Sequence, residues 1–303
     1  MEWEQSRRSD NIEDVRGSGS DGGGGGGISV GGGGLGIGAI IILAIIGYAT
    51  GIDPRILIGG AETIVNHGQS APTNDGAQPQ QRQQARNAGA PKDQMGDFVS
   101  AVLGETEDVW SQVLPQQKNV QYVAPRLVLY SGVTRSGCGQ AQSAMGPFYC
   151  PTDRKVYLDM AFFNDMRQKL GGGGDFAYAY VIAHEVGHHV QNLLGILPRV
   201  HDEMEQADRT DANGLSVKLE LQADCFAGVW AANADQKFHI LDAGDVDKAL
   251  NTAEAIGDDR LQKSSRGYAV PDSFTHGSSA QRKQWFTTGL KTGKVDACNT
   301  FGQ

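Results

Sequence analysis

The residues best suited to chemistry sit in one run, Tyr180-Val181-Ile182-Ala183-His184-Glu185-Val186-Gly187-His188-His189-Val190-Gln191. It contains the pattern His-Glu-x-x-His. Residues four apart share one face of an α-helix, so His184 and His188 can aim two imidazoles at a single zinc ion. Glu185 lies a step around the same helix, within reach of a zinc-bound water without being a ligand, which suits a general base. The neighbours Ala177, Tyr178, Val181, Ile182, Val186 and Val190 are apolar, so the helix is expected to be buried. A buried carboxylate or imidazole is costly without a partner, and a metal supplies one. Gly187 leaves room for another backbone to pack closely.

Two histidines leave a catalytic zinc one protein ligand short, because such sites hold three and keep a position open. The metzincin pattern would place Gly at 191 and His at 194, but those positions hold Gln191 and Leu194. His201 follows Pro198 in an expected loop and is a poorer candidate than Glu220. Glu220 and Asp224 lie four apart on a second apolar helix over about 212–235. Glu220 can complete the zinc site, and Asp224 can accept the spare ring N–H of a ligand histidine and fix its tautomer. The oxyanion of a tetrahedral intermediate needs a donor besides the metal. His276, in Thr275-His276-Gly277 before a last helix starting near Ser278, is the first candidate; Tyr268 is the second. The ordinary alternative for His276 is a surface or helix-capping role.

The elements that must position these groups follow from periodicity. Asp97 is expected to cap a helix reaching Leu114, ended by Pro115. Arg126–Tyr130 reads as a strand, and Met145–Cys150 with Lys155–Asp159 as a hairpin about Pro151-Thr152-Asp153. Further helices are expected over about 160–170, 175–194 and 242–256. Strands first and helices after predict an α+β fold.

The organisation ahead of this domain is polar, then apolar, then polar. Residues 1–27 are mixed in charge and end in glycines, which predicts a disordered tail. Residues 28–51 carry no charge and are long enough for one uncleaved transmembrane helix. Residues 52–94 are rich in Gln, Pro and Ala and read as a linker, leaving 95–303 as the folded domain. Arg7, Arg8 and Arg16 ahead of the span place the N-terminus inside. Cys138 with Cys150 and Cys225 with Cys298 could form two disulfides, which would put the domain in an oxidising compartment, the periplasm of a bacterium. Four reduced, buried thiols are the alternative. The 42 glycines show no Gly-X-Y period, and neither early glycine run follows a strand or precedes Lys-Ser/Thr, so collagen and phosphate loops are excluded. With 26 basic against 35 acidic residues the net charge is −9, which disfavours nucleic acid as a partner.

Four segments, Gly146–Pro151, His184–Gln191, Glu220–Gly228 and Pro271–Gly277, together resemble the gluzincin-type peptidases and, more closely, the bacterial membrane-anchored neutral zinc metallopeptidases. That resemblance covers the tail, the glycine-rich span and 95–303. It implies a zincin-like domain in which Lys155–Asp159 is an edge strand that can pair with an extended peptide, bound Zn2+, and cleavage of protein or peptide substrates at the bacterial inner membrane. A catalytically silent, zinc-stabilised binding or scaffold module is the competing expectation, and an amidase acting on cell-wall peptides a third.

Overall fold

The computed structural model describes residues 1–16, 90–143, 146–169 and 173–302. The expected membrane segment 28–51 and nearly all of the linker lie outside the described residues. Among the described residues no helix is long and apolar enough to cross a membrane.

The chain opens with strand β1 (Ile12–Asp14) and helix α1 (Gln94–Lys118). Strands β2 (Arg126–Tyr130), β3 (Val133–Ser136), β4 (Gly139–Gln142), β5 (Phe148–Cys150) and β6 (Lys155–Asp159) follow. The remainder is helical: α2 (Ala161–Lys169), α3 (Asp175–Leu193), α4 (Ile196–Gln206), α5 (Arg209–Phe238), α6 (Asp245–Ala255), α7 (Asp258–Arg266) and α8 (Ser279–Thr292). The α+β class is as expected; α4 and α7 lie where the sequence reading placed no element.

One sheet runs β1-β2-β6-β5, with β1, β2 and β6 parallel and β5 antiparallel to β6. Its two faces follow the strand period of two. Leu127, Leu129, Val156 and Leu158 join the core under the helices, while Val128, Tyr130, Tyr157 and Cys150 pack with Ala141 of the β3–β4 hairpin on the other face. The Cys138–Cys150 disulfide ties that hairpin to β5. Lys155–Asp159 is therefore not an edge: it is paired on both sides, and β5 takes the edge position.

Two further expectations are corrected. Pro115 does not end α1, which runs on to Lys118. The proline sits in the last turn, where its missing N–H costs a single bond, and Asn119 closes the helix in the left-handed conformation (φ 53°), donating to Pro115 O. Residues 1–16 of the expected tail are folded. Trp3 and Ile12 are buried, and Trp3 packs edge-on against Phe98 with its Nε1 donating to Asp175 at the start of α3. Composition counts only the apolar surface a segment owns. Here the open edge of β2 supplies backbone partners, and α1 supplies acids for the arginines: Arg7 pairs with Glu107 and Asp108, Arg8 with Asp97.

The helical layer brings α3 against α5, and α5 against α8. At the α5–α8 crossing a Cβ on Gly289 would lie 1.9 Å from Cys225 O, and one on Gly228 would lie 2.1 Å from Phe286 O, so only glycines permit the contact. The Cys225–Cys298 disulfide fastens the C-terminal turn to the same stretch of α5.

Candidate metal centre

Helix α3 carries His184, Glu185 and His188, and α5 carries Glu220 and Asp224. The two helices approach where Gly187 faces Ala223: a Cβ on Gly187 would sit 3.0 Å from Ala223 O. That close approach brings one donor atom from each of His184, His188 and Glu220 within 4.8 Å of one another. His184 Nε2 stands 3.2 Å from Glu220 Oε2, and His188 Nε2 stands 3.4 Å from Glu220 Oε1.

Both rings are oriented from behind. His184 Nδ1 lies 2.9 Å from Asp224 Oδ1, and His188 Nδ1 lies 2.9 Å from Gln191 Oε1. Both partners are acceptors, so each Nδ1 carries a hydrogen, which leaves each Nε2 on the side of Glu220 to serve a metal when one is bound. Asp224 is fully buried and accepts further from Arg282 Nε and Nη2, at 2.8 Å each, and from the Tyr180 hydroxyl. Gln191 donates in turn to Leu219 O and Gln222 Oε1.

A family model described as "Putative neutral zinc metallopeptidase" matches residues 1–301. The chain belongs to this family. It is similar to the uncharacterized protein YpfJ of Escherichia coli strain K12, 47% identical over 304 aligned positions that cover 100% of this chain and 99% of that one. It is also similar to the uncharacterized protein Rv2575 of Mycobacterium tuberculosis strain H37Rv, 44% identical over 213 positions, 67% of this chain and 69% of the relative. No solved structure matches.

The donor set fits the zinc that the metallopeptidase family implies. Two imidazole nitrogens and one carboxylate are a usual catalytic zinc set, and fewer than four protein ligands leave a position open. The electrostatics agree. Burial opposes a charged imidazole at His184, yet Asp224 and Glu220 outweigh it and push its pKa up to about 10, so the spot favours positive charge. Burial likewise opposes both carboxylates. His188 and His184 nevertheless hold Glu220 well below its ordinary value, and Arg282 and His184 hold Asp224 at about 2. Glu185 behaves in the other direction: burial raises its carboxyl, although His184 and His188 pull against the rise. Its carboxyl has no hydrogen-bond partner among the described residues, which leaves it available to a proton.

His276 reaches the centre from the loop before α8, near enough for its charge to help hold Glu220 low. Asp258, the first residue of α7, builds that loop. Its Oδ2 accepts from the backbone N–H of Thr275, His276 and Gly277, and its Oδ1 stands 3.2 Å from His276 Nδ1. Burial opposes a charged His276, but Asp258 outweighs it and raises the ring's pKa.

The other candidates fall away from the centre. Tyr268 is 62% exposed. His201 lies on α4, not in a loop, and pairs with Glu205. His189 points from α3 toward the sheet, where its Nε2 donates to Val123 O and its Nδ1 accepts from Tyr149. Residues that the sequence reading missed are Tyr180, Gln191, Asp258 and Arg282. Tyr180 and Gln191 carry a local signal, being four before His184 and three after His188 on the same helix. Asp258 and Arg282 carry none, because α7 and α8 meet the site only through tertiary packing.

Proposed function

We propose that this protein is a zinc-dependent endopeptidase that hydrolyses peptide bonds in proteins or peptides, with the metal held by His184, His188 and Glu220. Zinc in such a site supplies Lewis acidity toward water and toward a scissile carbonyl. The remaining chemistry belongs to the chain. Glu185 takes a proton from the attacking water and returns it to the leaving amine, a task suited to a buried carboxyl with a raised pKa. Asp224 holds the His184 ring in register and is itself held by Arg282 and Tyr180. Asp258 leaves His276 Nε2 free to donate to negative charge developing on the substrate oxygen. The observation that carries the reading is the convergence of three donors from two buried helices beside a carboxyl with no hydrogen-bond partner among the described residues. We also propose that the chain works at a membrane, which residues 28–51 engage.

The test is zinc analysis and cleavage of an unfolded protein by the full chain and by Glu185→Gln. The variant should keep its zinc and lose cleavage by roughly 10²–10⁴-fold. Cleavage at the parent rate would remove Glu185 from its role. A zinc-loaded parent that cleaves no peptide in a broad library would favour a zinc-stabilised binding module instead.

A further inference from the structure

The two imidazoles of the candidate centre are held by different chemistry. Behind His184 stands an anion, Asp224, fixed by Arg282. Behind His188 stands a chain of neutral amides, and it runs further than Gln191. Gln222 of α5 accepts from Gln191 Nε2 at 3.1 Å and donates through its own Nε2 to Cys298 O at 2.8 Å. Cys298 closes the 3-10 turn Val295–Cys298 and is bonded to Cys225 of α5. Gln191, Gln222 and Cys298 are all buried.

The direction of this chain is fixed from its far end. A carbonyl oxygen only accepts, so Cys298 O takes the Gln222 nitrogen and turns Gln222 Oε1 toward Gln191. Leu219 O, 2.7 Å from Gln191 Nε2, imposes the same sense on Gln191. Both amide hydrogens of Gln191 are then committed, and its Oε1 is left for His188 Nδ1 at 2.9 Å. Reversing either amide would set its oxygen against a carbonyl oxygen in a buried place, which is costly. The ring of His188 is thereby held with Nδ1 toward Gln191 and Nε2 toward Glu220.

The C-terminal turn holds Cys298 O in place. It grips α5 at three positions spaced along one helix face: Thr300 Oγ1 donates to Lys218 O at 2.7 Å, Gln222 donates to Cys298 O, and Cys225 carries the disulfide. The Thr300 tie stands outside the amide chain. The disulfide fixes the residue whose carbonyl ends it.

We propose that Gln191 and Gln222 are positioning residues for His188, and that the Cys225–Cys298 disulfide strengthens metal binding through them. The proposal rests on the reading of His184, His188 and Glu220 as metal ligands. It gives the disulfide a task besides joining the C-terminal turn to α5.

The test is the zinc affinity of the full chain, read by competition with a chelator. The variants are Gln222→Met, Cys225→Ala with Cys298→Ala, all three changes together, and Thr300→Val as a control. Gln222→Met keeps most of the volume and removes both amide bonds of Gln222. It should bind zinc about 10-fold more weakly, as for other groups that orient a metal ligand. Removing the disulfide should weaken binding in the same direction. The combination should bind no more weakly than Gln222→Met alone, because both changes act on one ring. Thr300→Val should keep the parent affinity. Losses that multiply to about 100-fold in the combination would mark independent effects and overturn the proposal. So would parent affinity in Gln222→Met, or an equal loss in Thr300→Val. If Gln222→Met does not fold, the disulfide-free protein decides: an affinity equal to that of Thr300→Val overturns the proposal. A parent chain that binds no zinc would overturn the metal reading as well, whereas a zinc-binding parent matched by its variants overturns the present proposal alone.

Discussion

Buried carboxylates around the metal centre and beneath residues 1–16 meet different fates, although burial opposes the anion in both places. At the centre, Asp224 is flanked by Arg282 and His184, and its pKa sits at about 2 despite complete burial. Beneath the N-terminal segment, Glu105 of α1 receives only the Ser6 hydroxyl on Oε1 among the described residues, and its buried Oε2 has no partner among them. Burial pushes that carboxyl up to about 7. Two residues further along the same helix, Glu107 receives Arg7, Ser9 and Asn11. The difference teaches that burial alone does not set the charge of an interior acid; a cation with aligned donors does. At the candidate metal centre Arg282 stands behind Asp224, which keeps Asp224 anionic and able to orient His184.

Three changes would break or sharpen this contrast. The largest effect is expected from Arg282→Leu, which leaves Asp224 buried beside one cationic partner fewer. Stability in urea should fall by about 3–5 kcal/mol, and zinc affinity by about 10–100-fold. An unchanged affinity would mean that Asp224 needs no counter-ion to hold the ring. Next comes Glu105→Met. Glu105 binds its proton more tightly folded, at about 7, than at the ordinary 4.5, so the parent should lose stability as pH rises from about 4.5 to 7 and level off above. The loss is on the order of 3 kcal/mol, and the variant should lack that slope in denaturation series across the window. Asp224 contributes with the opposite sign, its stabilisation disappearing only as pH falls from 3.8 toward 2. The smallest change is Ser6→Ala, which removes the one hydrogen bond favouring the Glu105 anion. It should cost about 1 kcal/mol at pH 8 and shift the midpoint of the slope upward.

Much of the candidate centre was legible because its candidate ligands, and the acid that orients one of them, come in helical spacings. His184 and His188, and Glu220 and Asp224, are pairs four apart, and such spacing survives any arrangement of the helices that carry it. The limits of α3, β2 and β6 were legible for the same reason, since their periodicity is local. Edge position was not: whether Lys155–Asp159 or Phe148–Cys150 ends the sheet depends on which strand pairs with β2, a contact between segments far apart in sequence. Residues 1–16 were misread because a short polar segment can order itself on a surface that the rest of the chain builds.

The amino-acid sequence by itself determined which side chains could bind a metal, that they lie on helices, and that two acids accompany the two histidines, because each of these is a property of a few consecutive residues. Only the tertiary structure decided that Glu220 meets both imidazoles, that Arg282 and Asp258 stand behind Asp224 and His276, and that the N-terminal strand joins the sheet. Those contacts join residues 30 or more positions apart in most cases, and no local rule of spacing or composition links such residues before the core brings them together.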